Sequence, residues 1–269
     1  MKISTLGPQG TFSHQAVMNY DESASVNFSS TIWDVFEQVS KGEADLGIVP
    51  IENSIAGTVN QTADYLIEFK LKIFNELLLS ISHNLVGSMS INDIRKLYVH
   101  PQTYEQCELF IRKNLPKAEI IFTSSNGKSA EIFSKSEQKS VASIIPNIAA
   151  SIYKLKIIKT NVQDNNFNVT RFLVIGKKDH EKTGNDRTSI ALRPSTDKPG
   201  LLYDILGEFA GKNINLTKIE SRPAKGKLGE YIFFIDFIGH RTDREIDLVL
   251  KNLGKKSLLW IFGSYPKVY

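Results

Sequence analysis

Residues 48–62, reading Ile-Val-Pro-Ile-Glu-Asn-Ser-Ile-Ala-Gly-Thr-Val-Asn-Gln-Thr, constrain the fold of this chain more than any other stretch. An apolar run over 46–49 ends at Pro50, which cannot donate to an interior ladder and predicts the end of a strand. Small and polar residues follow from Glu52 to Gly57, broken only by Ile55. Val59, Ala63, Leu66 and Ile67 then recur at helical spacing. Strand, loop and helix start form the junction at which open α/β sheets hold their ligands. Free N–H groups at such a helix start suit an anion. A plain capped turn, with Asn53 or Ser54 as local cap, satisfies the same residues, and capping preferences alone favour it. The rest of the chain decides between the two.

The flanking sequence repeats the pattern. Residues 2–6 predict a strand that breaks at Gly7-Pro8-Gln9-Gly10, and Thr11-Phe12-Ser13 leads into a helix over 13–19 with Ser13 as N-cap. Two glycines and a proline allow the backbone to approach a ligand closely, although most such turns are only turns. A short strand at 26–28 precedes a helix over 31–42, with Ile32, Val35, Phe36 and Val39 on one face. A second set begins at 81. It comprises an extended stretch 81–86, a strand 94–99, a turn at His100-Pro101-Gln102, and a helix over 103–114 with Gln106 in its first turn. Strand 119–123, a polar turn at 124–127, a helix to Phe133, strand 140–145 and helix 148–155 complete it. The βα alternation predicts mostly parallel sheets in two α/β lobes with a ligand cleft between them.

Residues 165–169 are polar and loop-like, and 170–176 form a clear strand. Alternation sets Thr170, Phe172 and Val174 on one face and Arg171, Leu173 and Ile175 on the other. By propensity alone Thr170 is simply a threonine at a strand edge. The charged stretch 177–186 reads as a linker. Beyond it the order changes to strand 188–193, helix 200–212, strands 214–220 and 230–237, helix 243–253 and strand 258–262. That is the βαββαβ, ferredoxin-like pattern, with a hairpin through 223–229.

Composition narrows the chemistry. The 269 residues, 41% hydrophobic and 23% charged, leave room for about two domains. No apolar run approaches the ~20 residues that span a bilayer, and residues 1–5 enter a strand with no signal-peptide core, so a cytoplasmic protein is expected. The single cysteine, Cys107, excludes an intramolecular disulfide and a cysteine-rich zinc site, and it reads as a packed thiol. There is no GxxxxGK[ST], HExxH or dinucleotide fingerprint, and the five histidines are dispersed, so neither metal nor cofactor is expected. A net charge of +4 from scattered lysines suits small anions, not nucleic acid or a membrane.

Several short motifs then stand in one order: Gly-Pro-Gln-Gly-Thr-Phe-Ser at 7–13, Pro-Ile-Glu-Asn-Ser-x-x-Gly-x-Val at 50–59, His-Pro-Gln at 100–102 with Gln106, and Thr-Arg-Phe at 170–172. In order and spacing the chain resembles the prephenate dehydratases. Glu-Ser-Arg-Pro at 220–223 is similar to the phenylalanine-binding ACT domain of the same enzymes. The resemblance covers essentially the whole chain. It implies a catalytic domain over 1–180, its lobes at about 1–79 with 160–180 and at 80–159, resembling type 2 periplasmic binding proteins. An ACT regulatory domain would follow over 188–269.

The implied activity is a lyase converting prephenate to phenylpyruvate, water and carbon dioxide for phenylalanine biosynthesis, in a homodimer or homotetramer inhibited by phenylalanine. By the same resemblance Thr170 carries the main catalytic hydroxyl, with Asn53 and Gln106 as hydrogen-bonding partners and Glu52 beside them. Substrate contacts fall to Thr11, Phe12, Ser13, Ser54 and Gly57, and to Thr123, Ser124, Arg171 and Phe172. Phenylalanine would meet Gly200, Leu201, Leu202, Asn215 and Leu216, with Glu220, Ser221, Arg222 and Pro223. Val99 departs from a serine common before His-Pro-Gln, and Gly200-Leu201-Leu202 departs from Gly-Ala-Leu. The chemistry suits neutral donors. Prephenate is a dianion whose ring becomes aromatic as hydroxide and carbon dioxide leave, and Thr, Asn and Gln can stabilise the charge on the departing oxygen. Arogenate dehydratase, acting on the aminated substrate, fits the same residues. A non-enzymatic small-anion or amino-acid sensor would also fit two lobes and a ligand-binding domain, but retention of Thr170, Asn53 and Gln106 favours the enzyme.

Overall fold

The computed structural model describes residues 1–196, 198–224 and 230–269. The first lobe is built from β1 (Lys2–Leu6), α1 (Phe12–Tyr20), β2 (Ser25–Ser29), α2 (Ile32–Lys41) and β3 (Leu46–Asn53). The short β4 (Gly57–Thr58), α3 (Asn60–Phe69) and β5 (Lys72–Ser80) follow. Local chemistry sets these boundaries, as α2 illustrates. Thr31 and Asp34 form a reciprocal capping box, four apolar residues turn inward, and Gly42 closes the helix in the left-handed conformation. The N-cap of α1 is Thr11, whose Oγ1 accepts the His14 N–H at 3.3 Å. Ser13, expected to cap, already lies inside the helix and is buried.

Pro50 does not end its strand. β3 continues to Asn53, and its pairing with β11 (Val169–Gly176) sets Arg171 opposite Glu52 but Phe172 opposite Pro50. The ladder skips Ile51, an irregularity at the residue beside the one that offers no donor. The sheet order is β2-β1-β3-β11-β5, with β4 beside β3. β1, β2 and β3 are parallel, as a βα repeat requires, whereas β11 runs antiparallel to β3 and β5.

The second lobe contains β6 (Asn84–Gly87), β7 (Lys96–Val99), α4 (Pro101–Gln106), α5 (Glu108–Asn114), β8 (Glu119–Phe122), α6 (Asn126–Ser134), β9 (Val141–Ile145), α7 (Asn147–Ile152) and β10 (Ile157–Lys159). Its sheet runs β10-β6-β9-β7-β8. The helix expected over 103–114 is two helices, beginning at Pro101 and broken at Cys107. The second starts afresh because the Asp164 carboxylate accepts the N–H groups of Leu109 and Phe110 at 2.9 and 3.1 Å. Gln106 is therefore the last residue of a short helix, not part of a first turn. Val99 is fully buried in this lobe's core.

Two crossings between the lobes run side by side. The Ile81 N–H bonds the Asn168 carbonyl and the Val162 N–H bonds the His83 carbonyl, each at 2.8 Å. The lobes also touch at Gly127, where an added Cβ would sit 2.2 Å from the Gln9 carbonyl oxygen. The close backbone approach expected of residues 7–10 is thus an approach to the other lobe.

The C-terminal domain consists of β12 (Asp186–Pro194), α8 (Leu201–Ala210), β13 (Leu216–Pro223), β14 (Tyr231–Ile238), α9 (Arg244–Lys256) and β15 (Ser257–Pro266). Its antiparallel sheet has the order β13-β14-β12-β15, that of a split βαβ domain. The hairpin expected through 223–229 lies largely outside the described residues; its flanks Pro223 and Tyr231 pair. One sheet face packs Ile190, Leu192, Phe233 and Ile235 against residues of α8 and α9. The other face meets the first lobe: Ala191, Phe234, Phe262 and Tyr265 share an apolar cluster with Phe36, Leu66, Ile73 and Leu173. The stretch read as a linker is pinned as well, since Arg241 Nε donates to Asp179 at 2.6 Å and Asp186 is buried.

Candidate active site

Between the lobes lies a pocket of about 240 Å³. Ile55 and Ala56 line it from the loop after β3, Gln102, Glu105 and Gln106 from α4, and Asp164, Asn165 and Asn168 from the second crossing. Strand register sets a polar pair beside it, on the first-lobe side, behind the lining residues Ile55, Ala56 and Asn168. Asn53 and Thr170 are directly opposed in the β3–β11 ladder, and Asn53 Nδ2 donates to Thr170 Oγ1 at 2.9 Å and to Asn168 Oδ1 at 2.7 Å. Asn53 Oδ1 accepts the N–H groups of Ile55 and Ala56 at 3.0 and 2.8 Å. Two backbone donors on that oxygen fix the orientation of the amide, because the flipped amide would set donor against donor. Thr170 thus receives a hydrogen bond on its oxygen and keeps its own proton to donate.

Across the pocket, Gln106 Oε1 lies 2.8 Å from His83 Nε2. Burial pushes the His83 imidazole down to about 4, against the Gln106 hydrogen bond that raises it, with nearby His100 lowering it further. His83 is therefore neutral at pH 7. In its Nε2–H tautomer His83 donates to Oε1, and the Gln106 NH2 is then left for the pocket. The His83 ring also meets Phe12 edge-on at 5.3 Å, linking the start of α1 to Gln106. Two buried atoms here have no hydrogen-bond partner: His83 Nδ1 and Asn168 Nδ2. An unpartnered buried donor costs ~1–3 kcal/mol, and Asn168, which lines the pocket, keeps an amide NH2 that no protein acceptor uses.

Sequence reasoning missed both Asn168 and His83, because they lie on crossings without a motif of their own. A signal for Asn168 existed. It stands two residues before Thr170, and alternation puts both on one face.

Other expected site residues fall elsewhere. Glu52 and Arg171 point to the opposite face from their neighbours Asn53 and Thr170, as a period of two requires. Arg171 is 4% exposed, its Nε on Glu76 at 2.6 Å, Nη1 on Asp236 at 2.6 Å and Nη2 on the Tyr265 hydroxyl at 2.9 Å. Glu52 faces Lys218 at 3.3 Å. Neither joins the pocket. Phe172 is buried in the first-lobe core beside Ile3 and Ile48. Ser54 ties the loop to β11, donating to the Phe167 carbonyl at 3.0 Å and accepting the Val169 N–H at 2.9 Å. Thr123 bonds Ser129 at 2.6 Å inside the second lobe, while Ser124 is exposed. Gly57 is exposed in β4 with φ +78°. Cys107 is fully buried and its thiol is pushed up by that burial, which makes it a packed thiol.

In the C-terminal domain Gly200 caps α8 at φ +84°, and Leu201 and Leu216 pack on the helix-side core. Leu202, Asn215, Ser221 and Pro223 are exposed. Glu220 and Arg222 turn the other way, onto the first lobe: Thr58 Oγ1 donates to Glu220 at 2.6 Å, and Arg222 pairs with Asp64 at 2.8 Å. Alternation therefore divides the Glu-Ser-Arg-Pro run between two faces. Among the described residues no helix is long and apolar enough to cross a membrane, and no three His, Cys, Asp or Glu side chains are grouped to hold a metal.

Fold and pocket together define a two-lobed α/β protein with a cleft lined by side-chain amides and two carboxylates, and a docked βαββαβ domain. Family models match on both parts: prephenate dehydratase over residues 3–180 and the ACT domain over 195–255. The chain belongs to the prephenate dehydratase family. It is 43% identical over 270 residues to a bifunctional chorismate mutase/prephenate dehydratase of Aquifex aeolicus, covering 99% of this chain and 74% of that one. A prephenate dehydratase of Methanocaldococcus jannaschii is 40% identical over 267 residues, covering 96% of each. The crystal structure of prephenate dehydratase from Arthrobacter aurescens in complex with L-Phe superimposes with a TM-score of 0.91 at 33% identity, over 99% of this chain and 90% of that chain.

Proposed function

We propose that the Asn53–Thr170 pair meets the hydroxyl that prephenate loses, and that the protein is a prephenate dehydratase yielding phenylpyruvate. In this reaction the ring C–carboxylate bond and the ring C–OH bond break together. The first electron pair enters the ring, which becomes aromatic, and carbon dioxide departs. The second leaves with the hydroxyl, which takes up one proton and becomes water. The observation that carries this reading is the 2.9 Å bond from Asn53 Nδ2 to Thr170 Oγ1, which leaves a neutral O–H donor free beside the pocket that Asn168, the other partner of Asn53 Nδ2, lines. A donor matched to charge that develops only in the transition state is worth ~3 kcal/mol. Gln106 and Asn168 offer further N–H groups, and the N–H groups at the start of α1, at Phe12 and Ser13, suit a substrate carboxylate. Incubating the protein with prephenate and following phenylpyruvate by its absorbance in alkali tests the reading; no product above the spontaneous rate would end it.

Gln106→Leu is expected to lower kcat/KM roughly ten- to hundredfold, the effect of losing one buried hydrogen-bond donor. The thermal transition should stay within a few degrees. Native kinetics in this variant would remove Gln106 from the site.

The same reading takes the C-terminal domain as the seat of feedback by phenylalanine and the protein as a cytoplasmic homo-oligomer. β13 is an end strand of its sheet with Ile219 45% exposed, an edge suited to pairing with a second copy. Phenylalanine should inhibit turnover, and Leu202→Glu, at an exposed apolar position beside the α8 start, should weaken its binding about tenfold or more by calorimetry. Unchanged affinity would move the effector elsewhere.

A further inference from the structure

We infer that the C-terminal domain holds the Asn53–Thr170 pair in place from beneath, with Asp236, Tyr265 and Lys218 as positioning residues for a reaction that they do not touch. The inference rests on the catalytic reading of Asn53 and Thr170 given above. In the β3–β11 ladder the rung next to Asn53–Thr170 is Glu52–Arg171. Both residues of that rung are gripped by the other domain. Asp236 accepts from Arg171 Nη1 at 2.6 Å and the Tyr265 hydroxyl from Nη2 at 2.9 Å. Lys218 Nζ lies 3.3 Å from Glu52 and donates to Thr58 Oγ1 at 2.9 Å. Thr58 is itself the partner of Glu52 in the β3–β4 pairing, so Lys218 holds both ends of the loop that carries the Asn53 turn.

Burial makes these contacts stiff. Asp236 and Arg171 are 7% and 4% exposed, and Ser189 Oγ donates to the second Asp236 oxygen. A charge-assisted bond in such surroundings tolerates little displacement, since losing it leaves a buried charge unpaired. Movement of β13 or β14 relative to the first lobe therefore acts on the rung that sets the amide–hydroxyl distance. Positional errors of this kind reduce turnover steeply.

Tyr265→Phe removes only the hydroxyl that Arg171 and Ser189 share, and Lys218→Met removes the ammonium at Glu52 and Thr58. Trp260→Leu thins the apolar contact elsewhere in the same interface and serves as the control. Hydrogen exchange over 50–58 and 167–173 is read on each folded protein, together with kcat and KM for prephenate. The first two variants should exchange faster in those segments and lose about three- to tenfold in kcat with KM within twofold. Trp260→Leu should lower Tm and change neither. Unchanged exchange over 50–58 in both variants, or an equal change in Trp260→Leu, would overturn the inference. Exchange needs no substrate. A protein that failed to turn over prephenate would end the functional reading alone, and the exchange result would still decide the clamp.

Discussion

Thr170→Ala and Thr170→Val are expected to lose roughly two or more orders of magnitude in kcat while Thr170→Ser keeps measurable activity. Thr170 Oγ1 already accepts from Asn53 at 2.9 Å, so its proton is the one available to the departing oxygen. That oxygen gains charge only as its bond to the ring breaks. The lost interaction should therefore appear in kcat, with KM little changed. Serine preserves the oxygen and its acceptance from Asn53, but its freer χ1 costs some of the alignment. Valine keeps the shape of threonine and removes the donor, which separates chemistry from packing. Steady-state assays on the three proteins decide it; equal kcat in the alanine and serine variants would end the assignment.

Arg171→Met is expected to cost about 3–5 kcal/mol of folding stability, the usual effect of breaking a buried ion pair from one side. Two cations, Arg171 and Arg187, here meet two carboxylates, Glu76 and Asp236, between the first lobe and the C-terminal sheet. Without Arg171 the Asp236 carboxylate keeps Ser189 but loses the cation at 2.6 Å. Against a typical total of about 5–15 kcal/mol, that loss should be plain in a urea transition at pH 7.

The pH dependence has a sign. Burial alone would raise the Asp236 pKa, but Arg171 and the hydrogen bonds from Ser189 and Arg171 outweigh it, and the carboxyl is held below its ordinary value. Its native contribution is thus present above the unfolded value of about 3.9 and is lost as pH falls through the lower native one. In Arg171→Met burial wins, the shift reverses, and the deficit should shrink as pH falls toward 5. Adding Asp236→Asn to Arg171→Met should return part of the stability by removing the orphaned charge. A loss below about 1 kcal/mol for Arg171→Met would mean the cluster contributes little.

Most elements, and the division into two α/β lobes followed by a βαββαβ domain, are legible in the order of the amino acids alone. Helix α2 needed only its capping box, apolar stripe and Gly42, and β11 only its alternation, because these are interactions between near neighbours. The motifs also carried the family, and with it Asn53, Thr170 and Gln106. Tertiary structure decided which side chains share a space. Pro50 stays within its strand because β11 supplies a ladder irregularity beside it, and the helix after His100 breaks because Asp164 arrives from the crossing to cap its second half. Asn168 reaches the pocket, and His83 reaches Gln106 behind it, only because the two crossings lie side by side. Glu52 and Arg171 are motif neighbours of catalytic candidates, yet they serve the domain interface. Sequence adjacency in a strand means opposite faces, and what covers each face depends on contacts between residues far apart in the chain.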